Sequence, residues 1–357
     1  RGWRNGFDKV ERLLSASNEK ISKTKLVIIG AGIAGLAAAK TLEDANFKDY
    51  LLIEAQSEIG GRIQSAPWNK AWIEYGAQFV HGDQSQLAQL CYKHDLLSDV
   101  QCPDGQGIFI RNNGCKVDEA LIEEIDDLIC NTLEDYEDYE NKNIEIENYK
   151  TMFIPSLPNL FSQAIECLGF GLINKVFLDF GSSWWKPNIK GFQLLWKEGV
   201  FCNKNLAAWT RDLTGFDVLP NHEGVLLGWV GGRGAYIVET LSEEQIAIDC
   251  ENLLRHYLKC YKISPIKRCL RTQWNANKYI RGSYSHITTR CDVNGITPRS
   301  LSEPIWGKLT EHDNKDVPII MFAGEATHEN FYSTTHGAYD TGIKQAQIFL
   351  QHHVAES

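Results

Sequence analysis

The chain has 357 residues, with 36 Lys and Arg against 46 Asp and Glu, a net charge of −10, and 43% hydrophobic residues. This balance makes a packed globular chain rather than disorder the default, argues against nucleic acid as the main partner and mildly favours a cationic ligand. The length allows about two domains of roughly 150 residues each. No apolar run reaches the about 20 residues of a membrane span, so no membrane is expected. The ten cysteines form no CxxC pair. They read as reduced, buried small hydrophobes, and no metal site is expected.

In chain order, residues 1–24 are polar and read as an N-terminal extension. The run TKLVIIG (24–30), short, β-branched and closed by glycine, predicts a buried strand. IAGLAAAKTLEDANF predicts a helix, and DYLLIEA (49–55) a second strand. Strand, glycine turn, helix and strand make a βαβ unit, which requires parallel pairing. From 83 to 150 the text is helical and acidic, with VDEALIEEIDDLICNTLEDYEDYENKN as its clearest amphipathic stretch. INKVFLDF (173–180) and GVLLGWVGG (224–232) predict strands, and SEEQIAIDCENLLRHYLKCY (242–261) a helix. PIIMFAG (318–324) predicts another buried strand before a closing helix, AYDTGIKQAQIFLQHH.

GAGIAG sets Gly30, Gly32 and Gly35 in a GxGxxG register between a strand and a helix. The first glycine serves the tight turn, the second lets backbone approach a pyrophosphate, and the third lets helix and strand pack. Amides of the helix N-terminus would hold the phosphates. Glu54 ends the next strand, near the distance of about 20 residues at which a carboxylate accepts from ribose hydroxyls. In EIGGRIQS, Gly60 and Gly61 allow a second close approach, and Arg62 brings a fixed cation towards diphosphate or flavin oxygens. Such signals at both chain ends, with a different composition between, predict a discontinuous domain interrupted by a second one.

These motifs, with IEYGAQFVHG (73–82), GFGLINKVFLDF (169–180), RGSYS (281–285) and FAGEATHENFYSTTHGAYDTGIKQA, resemble the flavin-containing amine oxidase family, in particular its polyamine oxidase branch. The resemblance implies an α/β fold: a Rossmann-like FAD-binding domain from 25–82 and 292–357, with an α+β substrate-binding domain over 83–291, shortened near 131–150. It implies non-covalent FAD, since the C-terminal stretch has no cysteine for a flavin link. By the same resemblance Gly30, Gly32, Ala34, Gly35, Glu54, Gly61 and Arg62 hold the cofactor. Gln78 and Phe79 line its ring through backbone, Glu325 meets the ribityl chain, and Thr334 and Thr335 present amides to the pyrimidine edge.

The implied reaction is hydride transfer from an amine C–N carbon to flavin N5, with O₂ reduced to H₂O₂. The imine is then hydrolysed to an aldehyde and a shorter amine. Substrates of the branch are spermine, N1-acetylspermine or spermidine. Lys175 matches the lysine that holds a water near N5, and His81 the substrate-proximal histidine. Tyr279 and Tyr332 match an aromatic clamp, suited to an alkylamine with charged neighbours. The reacting nitrogen must be neutral, which an apolar site favours by desolvation. Trp184 and Trp185 read as packing, and His328 and His336 lack the partners of a metal set. Two alternatives stay open: a catalytically silent flavin-binding relative with a shortened middle, and a histone-lysine demethylase-like oxidase. A cytoplasmic location is expected, with Arg1 leaving a removed leader open.

Overall fold

A computed structural model of the chain describes residues 23–69, 71–98, 106–132, 148–196, 206–309 and 315–353. Almost all of the expected N-terminal extension and most of the shortened stretch near 131–150 lie outside them.

The chain enters through β1 (Leu26–Ile29), α1 (Ile33–Asp44) and β2 (Tyr50–Ile53). β1 and β2 pair in parallel, Leu26 opposite Tyr50 through Ile29 opposite Ile53, as the βαβ reading requires. The hairpin β3 (Ser65–Trp68) and β4 (Ala71–Glu74) follows, then α2 (Gln86–Lys93), β5 (Ile108–Arg111) and α3 (Glu119–Thr132). After α4 (Asn148–Met152) and α5 (Asn159–Cys167) come β6 (Gly169–Gly171), β7 (Asn174–Asp179), β8 (Gly191–Leu195), β9 (Leu213–Val218) and β10 (Val225–Val230). α6 (Gly232–Thr240), α7 (Glu243–Tyr257), β11 (Arg268–Arg271), β12 (Tyr284–His286) and α8 (Thr289–Asn294) lead to β13 (Ile305–Gly307), β14 (Val317–Ile320) and α9 (Thr335–His353).

The fold is mixed α/β around a six-stranded sheet in the order β11-β7-β10-β9-β8-β5. β7 is buried on both faces. Its period-two alternation sends Val176 and Leu178 into a core shared with Ile246, Leu253 and Leu254 of α7. Phe177 points the other way, into a second core with Trp68 and Ile73 of the β3–β4 hairpin. Trp184 and Trp185 pack as expected, 4.9 Å apart, against Phe180 and Phe192.

The chain ends meet in a third cluster. Leu42 and Phe47 pack on Ala346 and Phe349, with Leu26, Ile28 and Tyr50 beneath and Met321 beside them. A Cβ on Gly342 of α9 would lie 2.1 Å from the Ala34 carbonyl oxygen, so the two helices touch backbone to backbone.

Several expectations need correction. β1 is half-buried on one face and exposed on the other: Val27 and Ile29 face out, as do Leu51 and Ile53, because no described element covers that side of the two-stranded sheet. The strand expected at 318–324 stops at Ile320, pairs among the described residues with β13 alone, and is mostly half-buried. The region read as helical over 83–150 also contains β5, a parallel edge partner of β8. The β3–β4 hairpin carried no expectation; Asn69, at φ 55°, makes its turn. α9 begins at Thr335, three residues before the segment expected, because the Thr334 hydroxyl accepts from the Gly337 N–H and caps it.

Candidate active site

The glycine loop is built by its own backbone. Gly30 sits at φ +100°, a conformation costly for other L-residues, while its N–H donates to the Ile53 carbonyl at 2.8 Å. A Cβ on Gly35 would stand 2.0 Å from the Gly30 carbonyl oxygen, so only glycine lets α1 start against the turn. Gly32 caps α1 and bridges to Gly60, whose N–H donates to the Ala31 carbonyl at 2.9 Å. Gly61 lies against Gly32, and Ala34 against Gly342. The two glycine pairs are therefore one surface.

Glu54 braces that surface. Its carboxylate accepts from the Ala31 N–H at 2.7 Å and from the Gln56 N–H at 2.9 Å. These backbone donors, Gln56 first and Ala31 second, hold its pKa below the ordinary 4.5 despite some burial. A depressed folded-state pKa contributes stability above the unfolded value, lost as pH falls through the folded one. Glu54→Gln is expected to be less stable than the parent at pH 7, with the difference closing as pH drops below about 4. Chemical denaturation at several pH values checks this; a gap that stays constant into acid would remove the brace.

A buried carboxylate gathers the distant segments. Glu325 accepts from Arg62 Nη1 at 2.8 Å, from Ser285 Oγ at 2.6 Å and from the Ser333 N–H at 2.8 Å, with longer contacts from the Ser285 N–H. Arg62 also donates to the Ser283 carbonyl at 2.8 Å. Both Glu325 oxygens and one Arg62 nitrogen are thus engaged with protein groups, so each acts first as a clasp between segments.

Lys175 shares the hairpin-facing side of β7 with Phe177 and is 2% exposed. Nζ donates to the carbonyls of Glu74 and Gly76, both at 2.8 Å, and to Gln78 Oε1 at 2.9 Å. It also lies 4.6 Å over the ring of Trp229, its cross-strand partner on β10. The side chain of Gln78 therefore meets Lys175. Segment 75–77 is itself laid along 62–64 by the Tyr75 and Ala77 N–H groups.

Phe79 and His81 lie close, ring centroids 6.4 Å apart. His336, 3% exposed, is near enough to feel the charge of His81; burial first, then His81 and His328, push its pKa down against Asp340. Burial likewise lowers His328, whose Nδ1 accepts from the Asn330 and Phe331 N–H groups. Among the described residues no His, Cys, Asp and Glu group could hold a metal ion. Tyr279 is half exposed under the Lys278 ammonium, and Tyr332 is half-buried in the turn before α9. Among the described residues no ring contact joins the two.

Thr334 and Thr335 stand at the start of α9, where helix amides and dipole would favour an electron-rich group. Thr335 Oγ1 is buried without a hydrogen-bond partner there. An orphaned hydroxyl at the start of a helix that packs, through Gly342, on Ala34 of the glycine loop braced by Glu54 fits a flavin dinucleotide. Sequence reasoning gave Ser283 and Ser285 no role beyond the RGSYS motif and passed over Trp229, which only the β10–β7 register sets beside Lys175.

Fold and site together define a dinucleotide-binding α/β protein with a buried cation. Residues 33–138 and 140–350 match the family described as flavin containing amine oxidoreductase, and the chain belongs to it. Its cofactor is accordingly a flavin, FAD. The human peroxisomal N(1)-acetyl-spermine/spermidine oxidase is 35% identical over 211 residues, 57% of this chain and 40% of that protein. Polyamine oxidase 1 of Oryza sativa subsp. japonica is 28% identical over 212 residues, 56% of this chain and 41% of that protein. The human lysine-specific histone demethylase 2 is 27% identical over 197 residues, 54% of this chain and 22% of that protein. The chain thus spans less than half the length of these curated relatives. A solved putrescine oxidase bound to putrescine superposes with a TM-score of 0.64 at 15% identity, covering 92% of this chain and 99% of that one, a likeness of fold.

Proposed function

We propose that the chain carries out FAD-dependent oxidation of a polyamine C–N bond, with spermine, N1-acetylspermine or spermidine as substrate and O₂ as electron acceptor. The observation that carries this reading is the Arg62–Glu325 clasp, which joins segments 263 positions apart into one cofactor surface. We take that surface as the core of a discontinuous FAD domain, 25–82 with 292–357, and the six-stranded sheet as part of the substrate domain, 83–291. Non-covalent FAD, when bound, accepts the hydride and passes electrons to O₂, giving H₂O₂.

The chain's residues supply the rest. The loop from Gly30 to Gly35, with Glu54, Gly61 and Arg62, holds the dinucleotide, and the amides of Thr334 and Thr335 meet the pyrimidine edge. Gln78 and Phe79 lie along the ring by their backbone. Lys175 donates to Gln78 and orders it in a site lined by Trp229, where desolvation favours a neutral substrate amine. His81 serves as hydrogen-bond partner to that amine, and Tyr279 and Tyr332 flank the alkyl chain. The net charge of −10 supports a cationic substrate, and the free thiols at described positions such as Cys115 and Cys260 support the expected cytoplasmic setting.

A second reading, flavin binding without turnover, is favoured by the open outer face of β1 and β2. Flavin absorbance together with H₂O₂ release on the three polyamines separates the two. A yellow protein that releases peroxide supports oxidation, whereas a yellow protein inert towards all three leaves only binding. kcat/KM for spermine against its acetylated form then names the substrate.

A further inference from the structure

Among the described residues six non-glycines have positive φ, and four of them are Asn or Asp, which tolerate it. The exceptions, Arg281 at 66° and Ser333 at 64°, both flank the buried Glu325 cluster. A serine held in this region is strained, so its surroundings must impose the conformation. They do: the Ser333 N–H donates to Glu325 Oε2 at 2.8 Å, and its hydroxyl donates to the Ser285 carbonyl. Ser285, 4% exposed, closes the loop by donating its own hydroxyl to the same Glu325 oxygen at 2.6 Å. Ser333 immediately precedes the cap residue Thr334, so its backbone angle sets the direction in which α9 starts.

We infer that Ser285 and Ser333 are positioning residues, which act through Glu325 to aim the first amides of α9 at the flavin and so tune its affinity and reduction potential. This rests on the proposed cofactor placement at Thr334 and Thr335. A carboxylate tied by Arg62 alone could rotate; tied also by two serines it cannot, and the helix start is fixed before the cofactor arrives. Preorganised amides favour the electron-rich reduced flavin more than the oxidised form.

The test uses purified holoprotein with Ser285→Ala and Ser333→Gly, the latter relieving the backbone angle while deleting the hydroxyl. Each is expected to weaken FAD binding about tenfold, as for one lost charge-assisted or buried hydrogen bond, and to move the flavin midpoint potential to more negative values. Ser285→Thr, which keeps the hydroxyl, should restore the potential. A purely structural role would lower the denaturation midpoint and leave the potential of the bound flavin unchanged, which overturns the inference. Ser333→Gly binding FAD as tightly as the parent at an unchanged potential also overturns it. A parent protein without flavin would instead sink the functional reading beneath it.

Discussion

Replacing Gly342 by valine is expected to part the last helix from the first and release the cofactor. A Cβ at this position would stand 2.1 Å from the carbonyl oxygen and 2.9 Å from the carbonyl carbon of Ala34, both backbone atoms that cannot rotate aside. Relief requires α9 to back away from α1, which opens the Leu42, Phe47, Ala346 and Phe349 cluster. Overpacking in a closed core costs about 1–3 kcal/mol, and more where the obstacle is backbone. Loss of about 3 kcal/mol is therefore expected, read as a lower midpoint in denaturant at constant slope. Because the same movement carries Thr334 and Thr335 away from the glycine loop, flavin content should fall with it. A valine variant with the parent's midpoint and full yellow colour would show that the chain ends do not meet as described.

Lys175→Met is expected to slow turnover by about 100-fold while FAD stays bound, on the scale seen when one preorganised electrostatic group is removed from an active site. Methionine keeps the length of the stem and removes the ammonium that meets Glu74, Gly76 and Gln78. Its effect on stability should be small, since three carbonyl acceptors lose a donor while a buried charge no longer has to be desolvated. Stopped-flow reduction by amine and reoxidation by O₂ locate the affected step, and equal absorbance spectra confirm retained flavin. Rates equal to the parent in both half-reactions would place Lys175 among the supports of the hairpin alone.

These expectations draw unequally on what was legible in the text. The glycine turn at Gly30, Gly32 and Gly35, the acid at Glu54 and the run of hydroxyls from Ser333 to Thr335 were readable because each serves a local demand: a φ, a strand end, a helix cap. β5 was hidden because a four-residue strand among acidic helices has no period long enough to register. The hairpin at 65–74 was hidden because Pro67 and two tryptophans do not alternate by polarity. The exposed side of β1 was unreadable for a different reason. A parallel strand looks apolar on both sides whether or not its neighbours are present.

Order along the chain and residue chemistry were enough to name a dinucleotide-binding βαβ start, a partner segment near the C-terminus and a lysine out of place on an apolar strand. Such features follow from short-range sterics and hydrogen bonding, which a linear text records. Which groups satisfy one another was decided only by folding. Nothing in the order of letters says that Glu325 would take Arg62, Ser285 and Ser333 as donors, or that Lys175 would be met by the carbonyls of Glu74 and Gly76. Those pairings depend on desolvation: a charge driven into the interior must find whatever donors or acceptors the packing of distant elements brings within 3 Å.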